Sequence, residues 1–468
     1  MSIRTKSLIT ALLIGLVATG GLQPTGAVGA ELPASESRFD LGDRPHVSGR
    51  KALDILGSRL ADVAENHGMS KGKLERILRT DHTLKVTGSG DLVYVDKAPQ
   101  ETGQSTITDT MTTPVYSTSQ TFALHSRPSA PLKLYLDFTG HTTYGTRWNN
   151  TYTGGAAFSS TPYDRDGSPS TFSSLEHAVI QATWLSVRED FAGFNIDVTT
   201  QDPGLEGLRR TSSSDAYYGV RVVVSPSASW YPYSAGGVGY LGTFGQIATA
   251  GDVPVYVFTN GSNAAKFVSE ASSHEAGHAL GLSHDGTVAH DGIARSEYYS
   301  GHNNWAPIMG SSYNRAVTQW SKGQYAWASN GEDDLAIIAG RVGYAADDYT
   351  NSTTSSGTLP AGTARYGVVN WTGDVDLFRF SLTQAARVNI RSWENAGAVD
   401  ANLNMRMTLR NSALTVLATS SPAGDLRTSM TVTLNPGTYY VQLDGVGEGT
   451  AYSNYASLGH YGIVLNWA

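Results

Sequence analysis

The sequence predicts an α+β unit followed by an all-β sandwich. Between residues 132 and 281, short alternating apolar runs are interleaved with two stretches of helical periodicity, an order that suits a sheet packed against helices. From about Tyr344 onward, one short strand pattern follows another with turn residues between them, the spacing of a sandwich. Composition agrees: 24 Tyr, 9 Trp and 51 Gly, with abundant Ser and Thr, fit an exported β-rich protein better than a cytosolic helical one.

Four segments are expected. Residues 1–30 read as an export signal: Arg4 and Lys6 open it, Leu8 to Val17 is mostly apolar, and Val28-Gly29-Ala30 offers small residues for a cut after Ala30. Residues 31–127 read as a small removable module and a linker. Leu53 to His67 has helical periodicity, a second helix starts at Met69-Ser70-Lys71, and two strands flank Gly88-Ser89-Gly90. Residues 97–121, rich in Thr, Ser and Gln, form the linker. A folded module and linker ahead of a larger unit suggest a propeptide, so the protein is expected to be a zymogen.

Residues 128–343 carry the α+β unit. Leu132–Phe138, Phe194–Thr199, Val220–Val224 and Val253–Phe258 read as strands. Phe172 to Phe191 reads as a long helix that Ser173 or Ser174 can cap, and a second helix runs from about Asn263 to Gly281. Trp320 to Gly340 reads as a closing helical segment. Residues 344–468 form the sandwich, with strands at Leu377–Leu382, Val388–Arg391, Thr431–Leu434 and Thr438–Leu443.

The net charge of −8 comes with no basic stripe, which excludes a nucleic-acid partner. No later segment is long and apolar enough to cross a bilayer, so no stable membrane association is expected. The chain has no Cys. Folding must rest on cores of adequate size, with metal ions as the remaining aid, and without disulfides. A monomer is expected.

Residues 274–285 read His-Glu-Ala-Gly-His-Ala-Leu-Gly-Leu-Ser-His-Asp. A helix places His274 and His278 on one face, where two imidazoles can grip one ion. Gly281 can leave helical geometry and return His284 to the same ion. Three neutral His ligands leave a fourth position of a tetrahedral zinc for water, and Glu275 can take a proton from that water. With 12 His and 51 Gly in 468 residues, independent draws give the pattern with a probability on the order of 10⁻⁵ to 10⁻⁴. The bland alternative is a buried helix whose histidines make only local hydrogen bonds. His290, His302 and Asp285 compete in sequence for the third ligand, but only His284 has the right spacing from Gly281.

The pattern resembles the metzincin clan of zinc endopeptidases, whose motif is HExxHxxGxxH. The resemblance implies a twisted sheet over two helices, with zinc held by His274, His278 and His284 and Glu275 as general base. It implies that Met309, in Trp305-Ala306-Pro307-Ile308-Met309-Gly310, packs under the site in a tight turn. Some metzincins carry a Tyr two residues after that Met. Here Ser311 stands there and Tyr313 follows, so Tyr313 is the candidate for a transition-state role. Asp285 matches the Asp after the third His in some of these families and could anchor the turn or orient a ligand. Protein or peptide substrates are implied, lying along an edge strand. The candidates for that edge are Val220–Val224 and the Gly-rich Ser234–Tyr240. Lack of Cys excludes latency through a thiolate on the zinc.

Gly373-Asp374-Val375-Asp376-Leu377-Phe378, Pro436-Gly437-Thr438-Tyr439-Tyr440-Val441 and Tyr452-Ser453-Asn454-Tyr455 resemble the prepeptidase C-terminal domains of secreted bacterial proteases. That resemblance implies a secreted or removable appendage, sometimes used for substrate binding. Asp347, Asp348, Asp374 and Asp376 offer hard oxygen ligands to a calcium ion, although turn formation also accounts for them. The function read from the whole is a secreted zinc metalloendopeptidase. Its rivals are a non-catalytic binding protein with structural zinc and a zinc hydrolase acting on a non-peptide amide.

Overall fold

The computed structural model describes residues 46–98, 113–248, 250–260, 264–290, 294–394 and 402–467. The expected export signal and much of the expected linker lie outside the described residues. The N-terminal module begins with α1 (Gly49–Leu56), α2 (Leu60–Asn66) and α3 (Lys71–Thr80). The single helix expected from Leu53 to His67 is two, because Gly57 takes a positive φ of 52° and a 3₁₀ turn follows it. Ser70 caps α3 by accepting from Lys73 N. A hairpin of β1 (Leu84–Val86) and β2 (Leu92–Asp96) follows, as its sequence predicts. Leu56, Leu74, Leu78, Leu84 and Leu92 share a small core that also takes in Leu241 from the next unit.

That central unit contributes β3 (Lys133–Asp137), β4 (His141–Thr143), α4 (Arg147–Tyr152), β5 (Phe158–Ser160), α5 (Ser174–Asp190) and β6 (Asp197–Thr199). It continues with β7 (Gly219–Ser225), β8 (Gly237–Tyr240), β9 (Val255–Phe258) and α6 (Ala265–Leu280). Strands β4 and β5 form a side hairpin. The main sheet runs β1-β2-β8-β9-β7-β3-β6. Strands β6, β3, β7 and β9 are parallel to their neighbours in that order, whereas β8 is antiparallel to β9 and to β2. Helices α5 and α6 pack on one another. Ser173 caps α5 in a full capping box with Glu176.

Two expectations are corrected here. Only Asp197–Thr199 of the predicted strand Phe194–Thr199 joins the sheet. Its first half is drawn away, with Phe194 bridging Tyr344 and Asn195 N donating to Gly343 O. After α6 come β10 (Thr287–Val288), β11 (Ala294–Ser296), β12 (Trp305–Pro307), β13 (Val317–Gln319) and α7 (Asp334–Val342). The helix expected from Trp320 therefore starts fourteen residues later (334 − 320 = 14). Gly323 has a φ of +71°, Asp334 is tied to Ser321 N, and Asp333 caps the helix by accepting from Ala336 N.

The C-terminal sandwich comprises β14 (Gly357–Thr358), β15 (Arg365–Val369), β16 (Val375–Leu382), β17 (Ala386–Glu394), β18 (Met405–Asn411), β19 (Val416–Ser420), β20 (Thr428–Leu434), β21 (Gly437–Gly445) and β22 (Gly459–Trp467). Its sheets are β14-β16-β21-β18-β19 and β15-β22-β17-β20. Alternation along β16 and β17 sends Phe378, Phe380, Val388 and Ile390 inward.

The sandwich is not a loosely tethered appendage. Its apolar interior is continuous with that of the central unit: one buried cluster holds Phe191, Phe194 and Trp320 of the central unit together with Leu403, Tyr455 and Leu458 of the sandwich. Polar contacts reinforce the join. Asn402 Nδ2 donates to Asp190 Oδ1 at 2.8 Å, Asn402 O accepts from Gln319 Nε2 at 2.5 Å, and Glu189 accepts from His460 N and Nδ1, both at 2.8 Å. Tyr455 OH donates to Asp333 Oδ1 at 2.7 Å. The backbones also meet closely, since a Cβ on Gly193 would lie 2.1 Å from Asn370 O. Asn402→Ala removes a hydrogen bond to the buried Asp190 carboxylate, and we expect a loss of about 1–3 kcal/mol in denaturant unfolding. A change below about 0.5 kcal/mol would show that the join does not depend on this contact.

Candidate metal centre

Helix α6 carries His274, Glu275 and His278, and every residue from Ala265 to Leu280 is buried. Gly281 ends it at φ 109°, its N–H donating to Gly277 O and His278 O. This left-handed cap turns the chain so that His284 comes back beside the other two, as the spacing predicts.

Each imidazole is fixed from its far side. Ile308 O accepts from His274 Nδ1 at 2.8 Å and Leu282 O accepts from His278 Nδ1 at 2.9 Å. His284 Nδ1 donates to Asp81 Oδ2 at 2.8 Å. With Nδ1 carrying the proton, each Nε2 presents a lone pair, the tautomer that a metal ligand needs.

The three Nε2 atoms surround the carboxylate of Asp96, the last residue of β2. Asp96 Oδ2 is 3.4 Å from His274 Nε2 and 3.3 Å from His278 Nε2, and Oδ1 is 3.0 Å from His284 Nε2. His278 Nε2 and His284 Nε2 are 3.1 Å apart. Ligand atoms about 2.0–2.1 Å from one tetrahedral ion lie about 3.3 Å from each other, so the spacing fits zinc. Three buried atoms here, Asp96 Oδ2, His274 Nε2 and Glu275 Oε2, lack a hydrogen-bond partner among the described residues. A cation among them would satisfy the first two, since buried polar groups without partners are costly.

The electrostatics reflect this crowding. Burial works to raise the Asp96 carboxyl, but the His284 charge and the close approach of the three imidazoles hold it well below its usual range. Burial lowers His278 to about 4. Burial also opposes charge on His284, yet Asp81 and Asp96 raise it to about 10. Burial and then the Asp96 charge push Glu275 well above the ordinary carboxylate range. Between the imidazoles, a divalent ion would take over the positive charge that His284 otherwise supplies.

Glycines let the site close. A Cβ on Gly237 of β8 would stand 1.9 Å from Glu275 Oε1, and one on Gly277 would stand 2.6 Å from Met309 Sδ. Met309 is therefore packed directly beneath α6. Asp285 N donates to Met309 O at 2.8 Å, which ties the third histidine to that turn. The Asp285 carboxylate faces Tyr325, whose hydroxyl lies 3.4 Å from Oδ1, and burial raises it to about 8.

Tyr313 packs on Phe267, with ring centroids 5.3 Å apart. It lies close enough to Asp96 and Glu275 for their charges, after burial, to push its hydroxyl up. The nearer hydroxyl is that of Tyr298, which donates to Asp96 Oδ1 at 2.9 Å. His302 pairs with Tyr299 and His290 stands against Trp327, so neither joins the cluster. Of the two candidate edges, Val220–Val224 is excluded: β7 lies between β3 and β9. Strand β8 borders the site and carries β2 on its open side.

Sequence reasoning did not single out Asp81, Asp96 or Tyr298. Asp81 and Asp96 precede the motif by well over a hundred residues, and no local spacing links them to it. A second acidic group, Asp347, Asp374 and Asp376, holds its ligand atoms within 4.8 Å of one another. Asp348 instead accepts from Val368 N. Burial raises Asp376 to about 9, and its Oδ1 lacks a hydrogen-bond partner among the described residues.

Residues 374–445 match the family model described as the bacterial pre-peptidase C-terminal domain. This domain is typical of secreted bacterial proteases. The pre-peptidase C-terminal domain of a Bacillus anthracis collagenase is similar to this chain at 17% identity, over 24% of this chain and 95% of that one, with a TM-score of 0.19. An Aeromonas hydrophila periplasmic inhibitor of g-type lysozyme is similar at 9% identity, over 24% of this chain and 96% of that one, with a TM-score of 0.18. No curated protein matches the chain. No helix among the described residues is long and apolar enough to cross a membrane.

Gly277→Val drives a branched side chain into Met309, and we expect a loss of about 1–3 kcal/mol on thermal or denaturant unfolding. Adding Met309→Ala should restore part of it. A double variant no more stable than the sum of the two single changes would rule out this contact as the source.

Proposed function

We propose that the chain is a secreted zinc-dependent metalloendopeptidase of metzincin type, made as a zymogen with residues 31–127 as its propeptide. The observation that carries this is the convergence of three Nε2 atoms on one point at ligand-to-ligand spacing, with the buried Glu275 carboxylate beside it. A structural site would need no such carboxylate.

Zinc, when bound by His274, His278 and His284, supplies positive charge that polarises a carbonyl and makes water acidic near neutrality. Glu275, freed of the Asp96 charge, takes the proton of the attacking water and passes it to the leaving nitrogen. Strand β8 offers backbone donors and acceptors to an extended substrate chain. Tyr298 directs its hydroxyl at the position now held by a carboxylate oxygen, where it can donate to a developing oxyanion. That geometry favours Tyr298 over Tyr313 for the role.

Casein hydrolysis by the processed, secreted protein tests the reading. Glu275→Ala should lose at least about a thousandfold in kcat while still holding one zinc per chain. Chelation should abolish activity and added zinc restore it. Tyr298→Phe should lower kcat about ten- to a hundredfold with KM little changed. A processed wild type that binds zinc but cuts no protein would sink the reading in favour of a binding module or a non-peptide hydrolase.

The unpartnered Asp376 oxygen supports calcium at Asp347, Asp374 and Asp376 as a second ion. Calcium should then raise the melting temperature, and Asp376→Asn should remove that increment. An equal rise in the variant would place the effect elsewhere.

A further inference from the structure

We propose that the corner between the imidazoles of His278 and His284 is a substrate subsite for an aromatic side chain, that of the third residue before the bond that is cut. The proposal rests on the metalloendopeptidase reading above and names the class of substrate that the site takes.

The corner already holds a ring. Tyr94 of β2 stacks on His278 with ring centroids 4.0 Å apart and an interplanar angle of 12°. The same ring lies 4.3 Å from that of His284, tilted by 50°. Tyr94 also belongs to the core of its own module, the cluster that includes Leu56, Leu74 and Leu78. Those leucines leave with residues 46–98, whereas both imidazoles stay. His278, the floor of the corner, keeps its orientation without the module, because Leu282 O accepts from its Nδ1 at 2.9 Å.

Strand register brings a substrate ring to the same place. Strand β8 turns Gly237 and Gly239 toward α6, and a Cβ on Gly239 would lie 3.2 Å from His278 Cβ. It turns Val238 and Tyr240 to the opposite face, into a layer with Trp148, Tyr231 and Tyr256. Strand β2 follows this alternation. Tyr94 pairs with Gly239 and Asp96 with Gly237, while Val93 and Val95 pair with Tyr240 and Val238 and pack in the aromatic layer. Any extended chain on this ladder has the same period of two. Apolar residues seated on the layer therefore deliver the residue between them to His278. When the residue before the cut stands where Asp96 stands, the one over His278 is the third before the cut.

An apolar side chain of any shape could fill the corner by area alone. A flat ring matches the near-parallel face of His278, and a second effect favours an electron-rich one. An imidazole that gives its Nε2 lone pair to a divalent ion is depleted of electrons, so the face of a Tyr or Trp ring is drawn to it as to a cation. A saturated ring of equal size offers the area without that attraction.

The test uses peptides of the form acetyl-Leu-Val-X-Val-Ala amide, in which X is tyrosine, tryptophan, cyclohexylalanine or alanine. They end where the cut would fall, so calorimetry on the processed, zinc-loaded protein reads binding without turnover. The tyrosine and tryptophan peptides should bind about three- to tenfold more tightly than the cyclohexylalanine peptide. That advantage should fall once a chelator has removed the zinc. Longer fluorogenic peptides with the same five residues should be cut after the alanine, with kcat/KM in the same order. Cyclohexylalanine binding as tightly as tyrosine, or an aromatic preference at another place in the peptide, would overturn the subsite and leave the endopeptidase reading to stand on casein hydrolysis. If neither casein nor any peptide is cut, the endopeptidase reading falls, and the calorimetry alone decides whether the corner selects aromatic rings.

Discussion

The complete burial of helix α6 is the constraint on which the rest of the structure depends. A helix enclosed on all sides is ordinarily apolar, yet this one encloses Lys266, Glu270, His274, Glu275 and His278. Each of these groups requires a partner, and several of the partners come from distant parts of the chain. Lys266 pairs with Glu270, which also accepts from Ser312. Ser273 donates to Asp190 of α5 at 2.5 Å. His274 reaches the turn at Ile308, and His278 the chain just past the Gly281 cap. The surrounding elements are thus held at fixed distances by the need to satisfy one helix.

This explains why the C-terminal sandwich is packed in rather than appended. Asp190 accepts from Ser273, next to the first histidine, and from Asn402 of the sandwich. Gln319, bonded to Asn402 O, also accepts from Trp305 Nε1, and its own backbone carbonyl accepts from Ile308 N. Asn402 therefore sits at the end of two short hydrogen-bond paths that run to the neighbourhood of His274, one through α5 and one through the Met309 turn. The domain resemblance implied a secreted or removable appendage. The continuous core between Phe191, Trp320 and Leu458 describes a brace.

What could be read in the sequence was what depends on near neighbours. The gathering of His274, His278 and His284 follows from helical periodicity and one glycine, and the cap at Ser173 from its Glu176 three residues on. The alternation of Leu377–Leu382 declared its strand without help. Reading failed where distant partners override local preference. Phe194 and Asn195 have strand-forming neighbours but pair with Tyr344 and Gly343. The stretch from Trp320 to Asp333 contains Gly323 at positive φ and polar side chains that bond to the loop rather than to a helix. Asp96 looked like the end of an ordinary hairpin strand. Its place among the imidazoles appears only when β2 is placed beside β8, a pairing that no short-range pattern encodes.

That pairing has a bearing on solubility. Strand β8 is short and half glycine, with no charged side chain, proline or bulge along Gly237–Tyr240. These are the devices by which proteins keep an open sheet from recruiting other chains. A molecule deprived of residues 46–98 would present a row of unsatisfied amides and carbonyls to any extended peptide, including a loosened segment of its own kind. The covering hairpin thus doubles as a guard against self-association.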